Sequence, residues 1–189
     1  MVSVHKVSDN VFEIRGESSL YILLKEKLAI DTGFAFEKKD INLALKKVIP
    51  PEDVKIVVFT HLHMDHIGNL DLFTHAKFYA SAQAIKDFKA NPLGTVLEDD
   101  AAKALNRIQL SPIKSGDWGL EVIEVPGHTA GSIALYYKKE KILFTGDTKF
   151  RHGYIGRVDL PTSVPKKIKD SLQKLEELDY EIMCPGHNY

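Results

Sequence analysis

The sequence predicts a mixed α/β (α+β) fold, a four-layer αββα sandwich in which helices cover the outer faces of two packed β-sheets. Two features predict this fold. Short apolar runs separated by turn residues gather into two β-rich halves, and segments of helical periodicity accompany each half. The halves follow one another without a low-complexity linker, and a length of 189 residues suits one hydrophobic core. We therefore expect residues 1–189 to form one domain.

The first half opens with short strands and continues with alternating helices and buried strands. The apolar spacing of residues 37–48 predicts an amphipathic helix, which Pro50 ends. Ser81 is suited to cap the helix that follows it. The predicted elements are strands at residues 6–7, 11–15, 20–24 and 28–31, a helix at 37–48, strands at 54–59 and 77–80, and a helix at 82–90.

The second half is similar in layout, although the sequence shows no convincing internal repeat, and it follows an irregular segment. Residues 91–118 contain a predicted short helix that ends near Arg107, and the segment is either a lid over a cleft or a surface excursion. The predicted elements after it are strands at residues 120–125, 133–137 and 141–145, a helix at 165–178 and a last strand at 181–184.

Composition and charge argue against a nucleic-acid-binding protein and against a membrane-spanning protein. The net charge is −1 and no long run of one sign occurs, so nothing predicts a nucleic-acid partner. No apolar stretch reaches ~18 residues, so we expect no membrane span. The amino terminus does not resemble a signal peptide, and the single cysteine, Cys184, excludes an internal disulfide. We expect a cytoplasmic protein, whereas the sequence does not determine its oligomeric state.

The most informative stretch is His61-Leu62-His63-Met64-Asp65-His66, which places four metal-binding side chains within six residues. Imidazoles and carboxylates together suit Zn²⁺, Fe²⁺ or Mn²⁺. In an extended peptide His61 and His63 point the same way and can share one metal. If a helix begins near Asp65, that residue and His66 turn toward a second metal. The stretch therefore predicts two adjacent cations.

Three further motifs place one potential ligand each just after a predicted strand and beside a glycine. They are Pro126-Gly127-His128-Thr129, Thr145-Gly146-Asp147-Thr148 and Pro185-Gly186-His187. Strand ends can present rigidly held ligands to a common cleft, and glycine permits close approach of the backbone. Each motif alone is compatible with an ordinary turn, but together they indicate one metal centre.

These motifs resemble those of the metallo-β-lactamase superfamily of hydrolases, and the resemblance covers essentially the whole chain. It implies the αββα sandwich of that superfamily. It implies His61, His63 and His128 on one metal, Asp65, His66 and His187 on a second, and Asp147 bridging both. Asp31, in the motif Asp31-Thr32-Gly33, matches a position that supports the ligands from behind, and its alternative role is that of a turn-forming residue.

Within the superfamily the chain looks like the glyoxalase II (hydroxyacylglutathione hydrolase) branch. The similarity lies in residues 146–150, in residues 155–161 and in the ending His187-Asn188-Tyr189. This branch implies a thioesterase in which a metal-bound hydroxide cleaves a thioester or ester at a dinuclear site, with Asp65 and Asp147 as catalytic carboxylates. Zinc is the expected metal, and iron or manganese is the alternative.

Two other functions stay open at this point. A mononuclear iron persulfide dioxygenase of the same superfamily would use His61, His128 and Asp147 as two histidines and one carboxylate. A non-catalytic metal-binding module is the third possibility, although seven coordinating groups exceed the needs of a structural zinc.

Substrate contacts are expected from the loop that follows Asp147. Arg157 matches the Gly-Arg of the family. Lys149, Arg151 and Tyr154 are further candidates, although each could instead be an ordinary polar residue of a surface loop with no contact to substrate. Long glyoxalase II enzymes place basic residues for the glutathione carboxylates after the last histidine, where this sequence has only Asn188 and Tyr189. We therefore expect a small-molecule thioester or ester substrate with weak preference for glutathione.

Overall fold

The chain builds two β-sheets, one of seven strands and one of four. The first sheet holds β1 Ser3–Lys6, β2 Val11–Arg15, β3 Ser19–Leu23, β4 Leu28–Ile30, β5 Ile56–Val58, β6 Lys77–Ala80 and β7 Leu110–Pro112, in chain order. The second sheet has the order β11-β10-β9-β8 and holds β8 Leu120–Glu124, β9 Ile133–Tyr137, β10 Ile142–Gly146 and β11 Ile182–Pro185. This computed structural model describes residues 1–188, so the tyrosine of the predicted His187-Asn188-Tyr189 motif lies outside the described residues.

Among residues 1–188, six α-helices lie on the outer faces of the two sheets. They are α1 Lys38–Leu45, α2 Met64–Ile67, α3 Ala82–Ala90, α4 Pro92–Val96, α5 Asp99–Leu105 and α6 Ile168–Glu176. Buried side chains of α1 to α5 share one apolar cluster with the first sheet, and Leu175 of α6 shares another with the second sheet. The predicted four-layer αββα sandwich is thereby confirmed.

The inner faces of the sheets meet in a third apolar cluster, to which both sheets contribute buried side chains. Tyr21 of β3 packs edge-to-face on Phe144 of β10, with ring centroids 5.2 Å apart. All residues of β3, β9 and β10 are buried, as expected for strands that are covered on both faces. This cluster fixes the two sheets against each other, and thereby the loops at the sheet edge where the functional motifs lie.

The largest departures from the predicted elements fall in residues 91–118. The segment forms α4 and the edge strand β7 in addition to the predicted short helix. The side chain of Asn91 caps α4 by accepting a hydrogen bond from the Gly94 amide, and Pro92 occupies the first helical position. Gly94 and Thr95 are weak helix formers, so apolar periodicity did not reveal this turn of helix.

Other predicted elements agree with the structure within a few residues. The strand at residues 77–80 and the helix at 82–90 have the predicted bounds, and the Ser81 hydroxyl accepts a hydrogen bond from the Ala84 amide at 3.0 Å. The helix predicted at residues 37–48 ends earlier, at Leu45. Within residues 1–188, no helix combines the length and apolar character needed to span a bilayer.

Candidate metal centre

The predicted ligands meet at one edge of the sandwich because each follows the end of a strand. Strands β4 and β5 are parallel neighbours in the first sheet, and β10 and β11 are parallel neighbours in the second. Within each pair the carboxyl ends lie together, followed by Asp31 and the residue 61–66 stretch in the first sheet and by Asp147 and His187 in the second. The contact between Asp147 and His66 shows that the two pairs of strand ends meet. The β8–β9 connection adds His128.

The first group of potential ligands consists of His61, His63 and His128, all buried, with one ring nitrogen of each within 4.8 Å of the others. His63 Nδ1 lies 2.9 Å from His128 Nε2. The opposite nitrogen of His128, Nδ1, donates a hydrogen bond to the Arg157 carbonyl at 2.6 Å. Such a contact fixes the tautomer and the ring orientation, so that Nε2 faces the group.

The second group consists of Asp65, His66 and His187. Helix α2 turns Asp65 and His66 away from the extended segment that carries His61 and His63, as the sequence predicted. Asp65 Oδ2 lies 3.2 Å from His187 Nε2 and 3.7 Å from His66 Nε2. The rear nitrogen of His187 donates to the Glu17 carbonyl at 2.7 Å, which orients this ring as well.

Asp147 lies between the two groups. Its Oδ1 is 3.2 Å from His66 Nε2, whereas its Oδ2 is 3.5 Å from His128 Nε2 and 3.4 Å from His187 Nε2. The backbone at residue 186 approaches the Asp147 carboxylate closely. Only glycine permits this approach, because a Cβ on Gly186 would collide with Asp147 Oδ1. The carboxylate thus reaches ligand atoms of both groups at once.

Asp31 supports both groups from behind. Its Oδ2 accepts a hydrogen bond from His66 Nδ1 at 2.9 Å and another from the Thr60 hydroxyl at 2.8 Å. The Thr60 hydroxyl in turn lies 3.1 Å from His61 Nδ1. Asp31 adopts a left-handed backbone conformation with φ +60°, which aspartate tolerates better than most residues.

The donor set suits divalent metal ions. Buried polar atoms normally have hydrogen-bond partners, yet seven buried side-chain atoms of residues 1–188 have none. Four of the seven belong to this cluster: His61 Nε2, His63 Nε2, His66 Nε2 and Asp147 Oδ1. The His and Asp groups are therefore consistent with a dinuclear metal site, and nitrogen and carboxylate ligands suit zinc, iron or manganese.

The charges of the cluster follow from burial and from the mutual contacts of its members. Burial and the adjacent His128 lower the pKa of His63 to about 3, so its ring is neutral. Burial opposes ionisation of Asp147, but His66 and the hydrogen bond from His187 hold the pKa of this carboxyl well below its ordinary value. Burial likewise opposes the charged form of His187, but Asp147 and Asp65 raise its pKa to about 9. Protons and metal ions therefore compete for the second group.

A cleft of about 620 Å³ opens above the cluster. Of the predicted substrate-binding residues, Arg157 and Tyr154 line it, whereas Lys149 and Arg151 do not. The Lys149 ammonium group lies 3.6 Å from Glu176 of α6. Arg157 donates two hydrogen bonds to Asp159, at 3.0 and 2.9 Å.

Sequence reasoning did not find several apolar residues of the cleft wall. Phe34, Met64, Leu97 and Phe150 all line the cleft. Of these four residues, Met64 could most easily have been predicted, because it lies inside the His61–His66 stretch. Leu97 shows that the irregular segment 91–118 contributes to the cleft wall.

Comparison with known proteins places this geometry in a family. Residues 18–187 match the metallo-beta-lactamase superfamily. Probable metallo-hydrolase MJ0888 of Methanocaldococcus jannaschii is 29% identical over 90% of this chain and 86% of its own length. The hydroxyacylglutathione hydrolase of Pectobacterium atrosepticum is 33% identical over 70% of this chain, which matches only 47% of that enzyme.

A solved structure resembles the whole chain. TTHA1623, crystallised in a di-iron-bound form, superposes with a TM-score of 0.70 at 25% identity and covers 100% of this chain and 93% of its own. The αββα architecture, the ligand motifs at its edge and the match over residues 18–187 agree, and the chain belongs to the metallo-beta-lactamase superfamily.

Proposed function

We propose that the protein is a metal-dependent hydrolase of the glyoxalase II type, which cleaves a thioester or ester at a dinuclear site. The position of Asp147 carries this proposal, because its two carboxylate oxygens face potential ligand atoms of both groups. The motifs come from both halves of the chain, so we propose that residues 1–189 act as one domain. Zinc is the metal we propose; iron, which the di-iron-bound relative suggests, and manganese are the alternatives.

The seven potential ligands would form two metal-binding sites that share Asp147. His61, His63 and His128 would hold one ion, and Asp65, His66 and His187 the other, with Asp147 bridging. When bound, two such ions would supply Lewis acidity, which lowers the pKa of a bound water toward ~7 and polarises a carbonyl oxygen. The side chain of Asp65 is 24% exposed and lines the cleft, so it can orient the attacking water through a hydrogen bond. The water oxygen bonds to the carbonyl carbon, the carbon–sulfur or carbon–oxygen bond breaks, and the thiol or alcohol leaves with a proton.

Two relatives support hydrolysis by name: one is a probable metallo-hydrolase, and the other is a hydroxyacylglutathione hydrolase, whose name specifies an acyl compound. The dioxygenase alternative would need only His61, His128 and Asp147. It gives no role to the group of Asp65, His66 and His187, which is equally well ordered by contacts with Asp31 and Glu17. A purely structural metal site would not require the open cleft above it.

Thiol release without oxygen tests the proposal. The protein is purified without added metal, analysed for metal content, and mixed anaerobically with S-lactoylglutathione or an N-acetylcysteamine thioester. Cys184 is the only cysteine and is buried, so it adds little background to a thiol assay. We expect stoichiometric thiol release. Oxygen uptake and sulfite formation from glutathione persulfide, with one equivalent of iron and no thiol release, would instead establish the dioxygenase.

A further inference from the structure

We propose that the cleft selects substrates whose reacting carbonyl bears an apolar, uncharged chain, and that Leu97 and Ile155 determine this preference. The inference rests on the proposed acyl hydrolysis and names the substrate class for that site. Two observations carry it: the apolar side chains that converge on the cleft from distant parts of the chain, and the shortage of unpaired cations in the lining.

The apolar lining comes from both halves of the chain. The first half contributes Phe34, Met64 and Leu97, and the second contributes Phe150, Tyr154 and Ile155. Tyr154 and Ile155 are among the few large apolar side chains that are exposed, at 62% and 38%. Their exposed surface borders the metal centre, where a bound apolar chain would cover it.

Charge in the lining disfavours an anionic acyl chain. Apart from the proposed metal-binding histidines, Arg157 is the one cationic side chain among the described lining residues, and Asp159 already engages it through two hydrogen bonds. Glu17, the other charged lining residue apart from the proposed ligands, is acidic. A carboxylate at the far end of the acyl chain, away from the proposed metal ions, would therefore have to displace Asp159 or stay unpaired beside apolar walls.

Leu97 is held over the cleft by its backbone. It has a left-handed conformation, φ +70°, which a branched apolar residue adopts only when its surroundings enforce it. Its amide donates to the Leu93 carbonyl at 2.8 Å and so closes α4, while the next residue, Glu98, caps α5. The buried neighbours Thr95 and Val96 anchor this connection. Leu97 thus offers an apolar surface at a fixed position.

Burial of each methylene of such a chain contributes about fourfold in affinity or in kcat/KM, because transfer from water favours the bound state. A hexanoyl group should therefore exceed an acetyl group by roughly tenfold or more, even when part of the chain stays exposed. A succinyl group, which ends in a carboxylate, should be a poorer substrate than butyryl.

The test compares acyl chains in both binding and turnover. Zinc-loaded protein is titrated calorimetrically with aceto-, butyro- and hexanohydroxamate, and kcat/KM is measured for acetyl, butyryl, hexanoyl and succinyl thioesters of N-acetylcysteamine. The variants are Leu97→Asn, since asparagine tolerates the left-handed conformation, and Ile155→Asn. The matched control is Leu93→Asn, which alters an exposed leucine of α4, the helix that Leu97 follows, outside the lining.

We expect affinity and kcat/KM to rise with the length of the acyl chain. Either lining variant should lower the hexanoyl-to-acetyl ratio of kcat/KM at least fivefold, whereas Leu93→Asn should keep the wild-type ratio. A flat dependence on chain length, or succinyl preferred over butyryl, would overturn the inference while thioester hydrolysis still stood. Hydroxamate affinities that rise with chain length without turnover of any thioester would leave the apolar cleft in place and refute the proposed reaction.

Discussion

Asp31 Oδ2 accepts a hydrogen bond from His66 Nδ1 at 2.9 Å across 35 positions of sequence. The same oxygen accepts a hydrogen bond from the Thr60 hydroxyl, which contacts His61. One buried carboxylate therefore orients a histidine of each ligand group. This explains why an aspartate occupies a left-handed turn at the end of β4, where glycine would be less strained but could not support the ligands.

Asp31→Asn should weaken metal binding about tenfold to a hundredfold, because an amide can accept fewer hydrogen bonds from Thr60 and His66 than a carboxylate. Asparagine keeps the left-handed backbone, so the fold should be preserved. The measurement is zinc affinity by competition with a chromophoric chelator. Asp40→Asn, on the exposed part of α1, is the control and should bind like the wild type. Unchanged affinity in Asp31→Asn would assign Asp31 to the turn alone.

His61→Ala and His128→Ala should each abolish turnover and lower metal content, since each removes one of three nitrogen donors from the first group. Metal equivalents by elemental analysis and thiol release are measured on the same samples. His75→Ala is the matched control, because His75 is exposed and lies outside the cluster. Metal content and turnover near the wild-type values in either variant would contradict the assigned site.

Removal of metal should lower stability considerably. Ions that bind only the folded state stabilise it by about 4 kcal/mol at a thousandfold excess over Kd. Without them, the buried atoms His61 Nε2 and His63 Nε2 have no hydrogen-bond partner. A chelator should therefore lower the Tm, and zinc should restore it. An unchanged Tm after verified metal loss would show that the cluster is stable without ions.

Glu13→Gln should destabilise the metal-free protein by about 1.5–3 kcal/mol at about pH 7, through loss of charge-assisted hydrogen bonds. Burial alone would raise the pKa of Glu13, but hydrogen bonds from Arg15, Ser19 and Asn188 lower it below the ordinary value of 4.5. The unfolded chain then binds the proton more readily, so the contribution of Glu13 is complete above pH 4.5 and is lost as pH falls through the lower folded value.

Urea denaturation of the wild type and of Glu13→Gln across this pH range checks the sign. The stability difference between them should shrink as the solution is acidified. Glu121→Gln, at an exposed position of β8, is the control and should show no difference at any pH. A difference that grows on acidification would mean that Glu13 is protonated in the folded protein.

S-lactoylglutathione should show a high KM and little advantage over a thioester of N-acetylcysteamine, because the cleft offers its two carboxylates only Arg157 among lining residues with a permanent cation. One lost charge-assisted hydrogen bond weakens binding by about 1.5–3 kcal/mol. Arg157→Ala should therefore reduce even this small preference, while Arg151→Ala, outside the lining, should not. A strong glutathione preference that survives Arg157→Ala would indicate another binding surface.

The sequence predicted those features that are determined by residues close together in the chain. His61, His63, Asp65 and His66 lie within six residues, and their directions follow from an extended segment that turns into a helix. The sandwich was predictable because apolar runs and helical spacing mark its layers independently of long-range contacts.

The cleft wall was not predictable, since it depends on which distant segments meet. Leu97, which lies in the connection between α4 and α5, lines the cleft, and nothing in the local sequence marks a left-handed leucine. Lys149, close to Asp147 in sequence, pairs with Glu176 of α6 rather than lining the cleft. Contacts of this kind are set by packing between the sheets and helices.

Titration of metal-free protein with Zn²⁺, followed by anaerobic thiol release from an N-acetylcysteamine thioester, tests the central claim most directly. With Asp147 bridging two groups, turnover should rise to its maximum at two equivalents of zinc per chain and should need no oxygen. A maximum at one equivalent, with no further rise at two, or no thiol release at any zinc level, would contradict hydrolysis at a dinuclear site.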